Sequence, residues 1–291
     1  MRQACKVFLL VLLVLSAGAQ ELPAPRVTIP LIVNGSHHRP ISVAVESLVI
    51  TDQKTPVTGA RLQRGADLPL ELGVLIDTSN SEREGPFGDI LKPMNQFVAE
   101  AMRGPEDRVF FLTFESTSQA TGWLKKEQLQ TFTIPIRIGG GTALYDALAT
   151  ACKQRMGGRD WRKPTQRVLV LITDGEDNLS YATRDEAVSE ALRAGAVIFT
   201  IINTTRSDVT TRGEKIMDYW AKLTGGASFS GLSRRDMPKV FASIREQMDD
   251  MYYLSYVPPD ASKSAIHQVE VKPAPKNKFD LSYPRKYLWN P

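Results

Sequence analysis

The chain has 291 residues, enough for one large or two modest domains, and an apolar share of 42% that can bury a sizeable core. Its 36 basic and 32 acidic residues give a formal charge of +4, which becomes 34 against 32 once Arg2 and Lys6 of a leader are set aside. That balance excludes a nucleic-acid or anionic-lipid binder organised by bulk charge.

The leader comes first. Arg2 and Lys6 make a basic start, Val7 to Leu15 are apolar without interruption, and Ala17-Gly18-Ala19 is a small-residue cleavage site. This predicts a secretory signal over residues 1–19, removed after Ala19, and an exported protein that is periplasmic or secreted. The apolar run is too short for a comfortable membrane span, so the mature chain is expected to keep none. Only Cys152 then remains, which leaves no internal disulfide; it reads as a small buried residue of a helix.

Residues 20–66 are predicted as a β-rich lead-in. Ile41, Val43 and Val45 alternate with Ser42, Ala44 and Glu46, which predicts a strand, and Val49-Ile50 run into a turn at Asp52 to Pro56. His37 and His38 sit in a polar turn and read as surface residues.

From residue 67 to 250 the pattern becomes alternating strand and helix. Strand Leu70 to Ile76 leads to a helix with Ile90, Met94, Phe97 and Val98 on one face. Strand Val109 to Phe114 follows, with Ala120 to Leu124 as a hairpin partner. Thr142 opens a helix carrying Leu144, Leu148 and Cys152. Strand Val168 to Thr173 precedes a capping box at Thr183 and Glu186 and a helix stopped by Gly195. Strand Ala196 to Ile202, a helix through Trp220, an edge strand at Ala227 to Ser230 and a last helix through Met248 complete the series. Repeated β-α units with wholly apolar strands imply an α/β, doubly wound, mostly parallel sheet with helices on both faces. Residues 251–291 read as a C-terminal β extension, with strands at Tyr252 to Val257 and Gln268 to Lys272, that packs with the lead-in.

Three separated fragments carry the chemistry. Asp77-Thr78-Ser79-Asn80-Ser81 follows the first buried strand, Gly139-Gly140-Gly141-Thr142 opens a helix, and Thr173-Asp174-Gly175 ends another buried strand. Ligands of such sheets bind outside the carboxyl ends of the strands, so the topology brings Asp77, Thr142 and Asp174 to one edge. The Asp77 carboxylate is expected to be exposed there, outside the core. The set offers oxygen only, which suits a hard divalent cation, Mg²⁺ first, with Mn²⁺ or Ca²⁺ as substitutes. Glu176 and Asp177 read as solvated loop charges, and Trp123, Trp161 and Trp220 as packing residues.

In order, type and context these fragments resemble the von Willebrand factor type A (VWA) domain and its metal-ion-dependent adhesion site. The resemblance implies that Ser79 and Ser81 ligate the ion through their hydroxyls, Asp77 directly or through water, Thr142 directly in one conformation and Asp174 through water. It implies a non-enzymatic module whose partner is a protein offering an Asp or Glu side chain. The flanks are similar to an exported bacterial, Acidobacteria-type family of VWFA-related domains. Val49-Ile50-Thr51-Asp52 with Pro56-Val57-Thr58-Gly59, Tyr253 to Pro259 and Arg285-Lys286-Tyr287 carry that second likeness.

Rival readings are an aspartic-protease-like hydrolase using Asp77-Thr78-Ser79 and a structural type A domain without metal. The first needs a second such motif and an all-β frame, and no second motif is present. No G-x-S-x-G marks a serine hydrolase, the glycine run lacks the G-K-[ST] ending of a phosphate loop, and residues 174–178 lack the order of a calcium loop.

Overall fold

The computed structural model describes residues 24–34, 41–80, 87–158, 160, 162–202, 210–232 and 234–290. The predicted signal at 1–19, His37, His38, Ser81 and Trp161 lie outside the described residues.

The central unit is a six-stranded sheet. Its strands are β5 (Leu70–Asp77), β6 (Arg108–Phe114), β7 (Ser118–Ala120), β8 (Gln166–Thr173), β9 (Val197–Ile202) and β10 (Ser228–Phe229), in the order β10-β9-β8-β5-β6-β7. All pairings are parallel except β6 with β7. Every residue of β5, β8 and β9 is buried, as their largely apolar runs suit strands covered on both faces. On one side Val74, Ile76, Phe111 and Val170 pack with α1 (Phe87–Ala101) and α5 (Met237–Asp250). On the other, Leu75, Phe110, Leu112 and Leu171 pack with α2 (Leu144–Thr150), α3 (Arg184–Ala194) and α4 (Arg212–Thr224).

Local chemistry sets the helix ends. Thr183 caps α3 and Thr211 caps α4, each in a reciprocal capping box with Glu186 or Glu214, and both helices end on glycines of positive φ, Gly195 and Gly225. Cys152 is buried beyond α2, with its thiol pushed up by burial. Trp220 is fully buried and Trp123 meets the Phe110 ring edge-on at 5.0 Å, the packing roles expected of both.

The two chain flanks form one β unit of two four-stranded sheets. The N-terminal flank supplies β1 (Val27–Asn34), β2 (Leu48–Asp52), β3 (Thr55–Pro56) and β4 (Arg61–Arg64). The C-terminal flank supplies β11 (Tyr252–Tyr256), β12 (Ala265–Pro273), β13 (Asp280–Ser282) and β14 (Lys286–Trp289). The sheets run β13-β1-β11-β4 and β14-β12-β2-β3 and share a core that includes Leu31, Ile50, Leu254, Val271 and Trp289. The predicted packing of lead-in against extension is therefore present as strand pairing. The α/β unit is an insertion between β4 and β11, whose register sets Arg64 opposite Tyr252.

One lead-in expectation is corrected. Residues 41–44 form no strand, although they alternate. The Val43 amide donates to the Tyr252 hydroxyl at 3.3 Å, and that hydroxyl donates to the Ile41 carbonyl at 3.4 Å. A side chain thus occupies the backbone groups that a ladder would have used.

Candidate functional site

The site begins with register. Ile76 pairs with Ile172, so Asp77 and Thr173 stand level at the carboxyl ends of neighbouring strands. The Thr173 hydroxyl donates to Asp77 Oδ2 at 2.6 Å, and the Ser79 amide donates to Oδ1 at 2.9 Å. Ser79 adds a side-chain hydrogen bond to the same carboxylate. On the other side of β5, both the amide and the hydroxyl of Thr78 donate to the Phe114 carbonyl.

Asp77 is 1% exposed, which corrects the expected solvent-facing carboxylate. Its backbone belongs to the last position of a fully buried central strand, and the loops around it close over the side chain. Burial raises its pKa to about 6, the hydrogen bonds from Thr173 and Ser79 pull the other way, and the charge of Asp174 adds to the rise. Asp174 itself is partly exposed and accepts from the Glu176 amide at 3.0 Å.

Backbone hydrogen bonds lace the glycine loop to its neighbours. Gly139 N–H donates to the Thr78 carbonyl at 2.9 Å and Asn80 N–H to the Gly140 carbonyl at 3.2 Å. The Ala143 amide donates to the Glu115 carbonyl at 2.7 Å, at the end of β6. Thr142 is 3% exposed; its amide donates to Asn178 Oδ1, and its carbonyl accepts from the amides of Asn178 and Leu179. Gly141 lies close under the Asp174 loop: a Cβ on it would fall 2.6 Å from both Asn178 Oδ1 and Leu179 Cδ1, so those side chains would have to shift. Gly175, at φ +83°, lets its loop touch the start of α4: a Cβ on it would stand 2.8 Å from the Gly213 backbone.

Asp77, Ser79, Thr142 and Asp174 thus lie on three interlocked loops at one sheet edge, while Ser81 lies outside the described residues. Asp177 is a framework group rather than a free loop charge. Its carboxylate accepts from the Ser180 hydroxyl at 2.6 Å and from the Tyr145 amide at 3.0 Å. Sequence reasoning missed this role because nothing in residues 174–178 signals that α2 starts beside them.

The donor set fits a hard cation. The edge sets the carboxylates of Asp77 and Asp174 with the hydroxyl residues Ser79, Thr142 and Thr173. The Asp77 carboxylate is raised to about 6 by burial and by Asp174, and its hydrogen bonds from Thr173 and Ser79 offset that rise only in part. A divalent cation with oxygen and water ligands answers that chemistry.

Residues 72–176 match the family model for the von Willebrand factor type A domain. The central unit is therefore a type A domain, a class of protein-interaction module. Similar solved structures include the pilus adhesin SpaC from Lactobacillus rhamnosus GG, 10% identical, with 81% of this chain and 46% of that chain covered and a TM-score of 0.49. An aerotolerance-related membrane protein from Bacteroides fragilis is 18% identical, with 61% and 99% covered and a TM-score of 0.41. Proximal thread matrix protein 1 of the mussel byssus, described with a zinc-occupied metal-ion-dependent adhesion site, is 16% identical, with 63% and 48% covered and a TM-score of 0.46. No curated protein matches the chain in sequence.

Proposed function

We propose that this protein is an exported, non-enzymatic binding module in which Asp77, Ser79, Ser81, Thr142 and Asp174 hold a divalent cation and the pair grips an Asp or Glu of a protein partner. Mg²⁺ is the first choice, with Mn²⁺ or Ca²⁺ as substitutes. The observation that carries this reading is the buried Asp77 carboxylate with Asp174 acting on it and hydroxyl and amide donors, but no base among the described residues, bonded to it.

A bound cation would supply positive charge and an electrophilic position for one more anionic oxygen. The residues do the rest. Thr173 fixes one Asp77 oxygen and the Ser79 amide the other, so the carboxylate cannot rotate away from the edge. Asn178 holds the Thr142 backbone against the Asp174 loop. With Asp174 reaching the ion through water, at most one carboxylate of the chain touches it directly, and an electrophilic position remains for a partner carboxylate. Export rests on the leader over residues 1–19. Among the described residues no helix is long and apolar enough to cross a membrane. The hydrolase reading has no support from this fold, whose parallel sheet is not the all-β frame it needs.

Titration calorimetry with Mg²⁺ on the full chain tests the site. Wild type is expected to bind one ion, Asp77→Ala none, and Thr142→Ala at least about tenfold more weakly. Equal heats from wild type and Asp77→Ala would sink the assignment.

A further inference from the structure

The near-neutral total charge hides a split between the two halves of the molecule. The flanks, residues 20–66 and 251–291, carry 11 basic against 6 acidic residues, while residues 67–250 carry 23 against 26. One of those six acids, Asp52, is buried against His267 and faces no solvent. The cationic excess gathers on the outer face of the sheet β14-β12-β2-β3, the face turned away from the other β sheet. Its inward residues, among them Ile50, His267, Val271 and Trp289, are buried. By alternation Ile266, Gln268, Glu270 and Lys272 of β12 point outward, with Lys286 of β14 opposite Gln268 and Val49 of β2 opposite Lys272. Lys276 and Lys278 follow on the turn after β12, and both are exposed. Lys272 pairs with Glu270 at 2.8 Å; among the described residues Lys276, Lys278 and Lys286 form no ion pair. Two aliphatic side chains stand among these cations, Ile266 at 67% exposure and Val49 at 46%.

We propose that this face docks the protein on a membrane of anionic phospholipids, with Lys272, Lys276, Lys278 and Lys286 on the headgroups and Ile266 and Val49 at the acyl boundary. Unneutralised lysines alone would suit any polyanion. Protruding aliphatics between them favour a lipid surface, which meets charge with headgroups and takes apolar ends below them. The face belongs to the β unit, so it needs no ion at the α/β sheet edge and does not rest on the reading above. A lysine beside an anionic membrane contributes about fivefold in affinity, so four supply on the order of several hundredfold. That is reversible docking rather than anchorage.

The test is flotation of the full chain with vesicles of phosphatidylcholine, either alone or mixed with about one third phosphatidylglycerol. The chain is expected to float with the mixed vesicles only, equally well in chelator, and to be released when salt rises to about 0.5 M. Lys276→Glu with Lys278→Glu should weaken binding at least about twentyfold, and Lys286→Gln alone about fivefold. Ile266→Ser should weaken it about twofold by removing an aliphatic contact. Lys92→Glu with Lys239→Glu makes the same change of net charge on α1 and α5 and should leave binding within about twofold of wild type. Melting curves of all variants should match wild type, because every replaced side chain is exposed. Lys286→Gln and Ile266→Ser keep the question decidable should the charge reversals disturb the fold. No flotation, flotation with neutral vesicles alike, or an equal loss from the α1 and α5 pair would overturn the proposal. So would tighter binding of DNA or a sulfated polysaccharide that the same β-unit variants abolish, which would give the face to a soluble polyanion.

Discussion

Two buried aspartates sit in the two halves of this molecule and do opposite things. Asp52, in the β unit, is 0% exposed and accepts from His267 Nδ1 at 2.8 Å, from Tyr256 at 3.1 Å and from the Tyr287 hydroxyl. Tyr256 lies on the facing sheet, so the carboxylate ties both sheets together, and burial with the neighbouring Asp52 charge pushes both phenols well above their ordinary range. Asp77 is equally buried, but its partners are a hydroxyl residue on either side and its charged neighbour is another acid. One carboxylate is bonded by an imidazole and two phenols inside the fold; the other is bonded by a threonine and a serine at a sheet edge. Burial alone therefore does not tell the structural acid from the proposed cation ligand. The chemistry of the groups bonded to each does.

The sharpest way to break this contrast is to remove each acid in turn. Asp52→Ala should cost about 3 to 5 kcal/mol, because it strands His267 and two phenols in a closed core. Urea denaturation measures it, and a cost no larger than that of Asp77→Ala would erase the distinction.

The second effect has the opposite sign. A carboxylate raised to about 6 in the fold stabilises it at low pH, and that contribution is lost as pH rises from its unfolded value, about 4, through about 6. In chelator, wild-type stability should fall across that window by on the order of 2 kcal/mol, and Asp77→Asn should flatten the fall. Melting curves between pH 4 and pH 8 read this directly. Adding Mg²⁺ at pH 8 should restore wild type and leave the variant unmoved.

The smallest expected effect is Tyr287→Phe. It removes one of three donors to Asp52 and keeps the ring stacked on His267, so about 1 kcal/mol should be lost. A much larger loss would mean that the phenol, rather than the histidine, is the main support of that carboxylate.

The site's raw material was legible in the chain because strand ends and motif coincide: an apolar run stops at Asp77, another at Asp174, and parallel topology does the rest. The capping box at Thr183 and the glycine stop at 195 were equally plain, since each is a short-range signal. What stayed hidden depends on partners distant in sequence. Asp52 and His267 are 215 positions apart, and nothing near either one announces the other. The alternation at Ile41 to Val45 mimicked a strand until the Tyr252 hydroxyl took its backbone groups. The short strands β13 and β14 lie in an aromatic, basic tail whose pairing is set by Val33 and by His267, not by local pattern.

The insertion of the α/β unit between β4 and β11 has a consequence for how the protein is born. Val27 pairs with Tyr256, so the first described strand is synthesised long before its neighbour. The type A domain, whose strands all lie between residues 70 and 229, is complete while the lead-in still lacks β11 and β12. A nascent chain halted near residue 250 would therefore carry a finished domain at one end and unpaired strand edges at the other, the kind of surface on which chaperones and aggregation compete. Only the strands that follow the inserted domain, β11 to β14, close those edges.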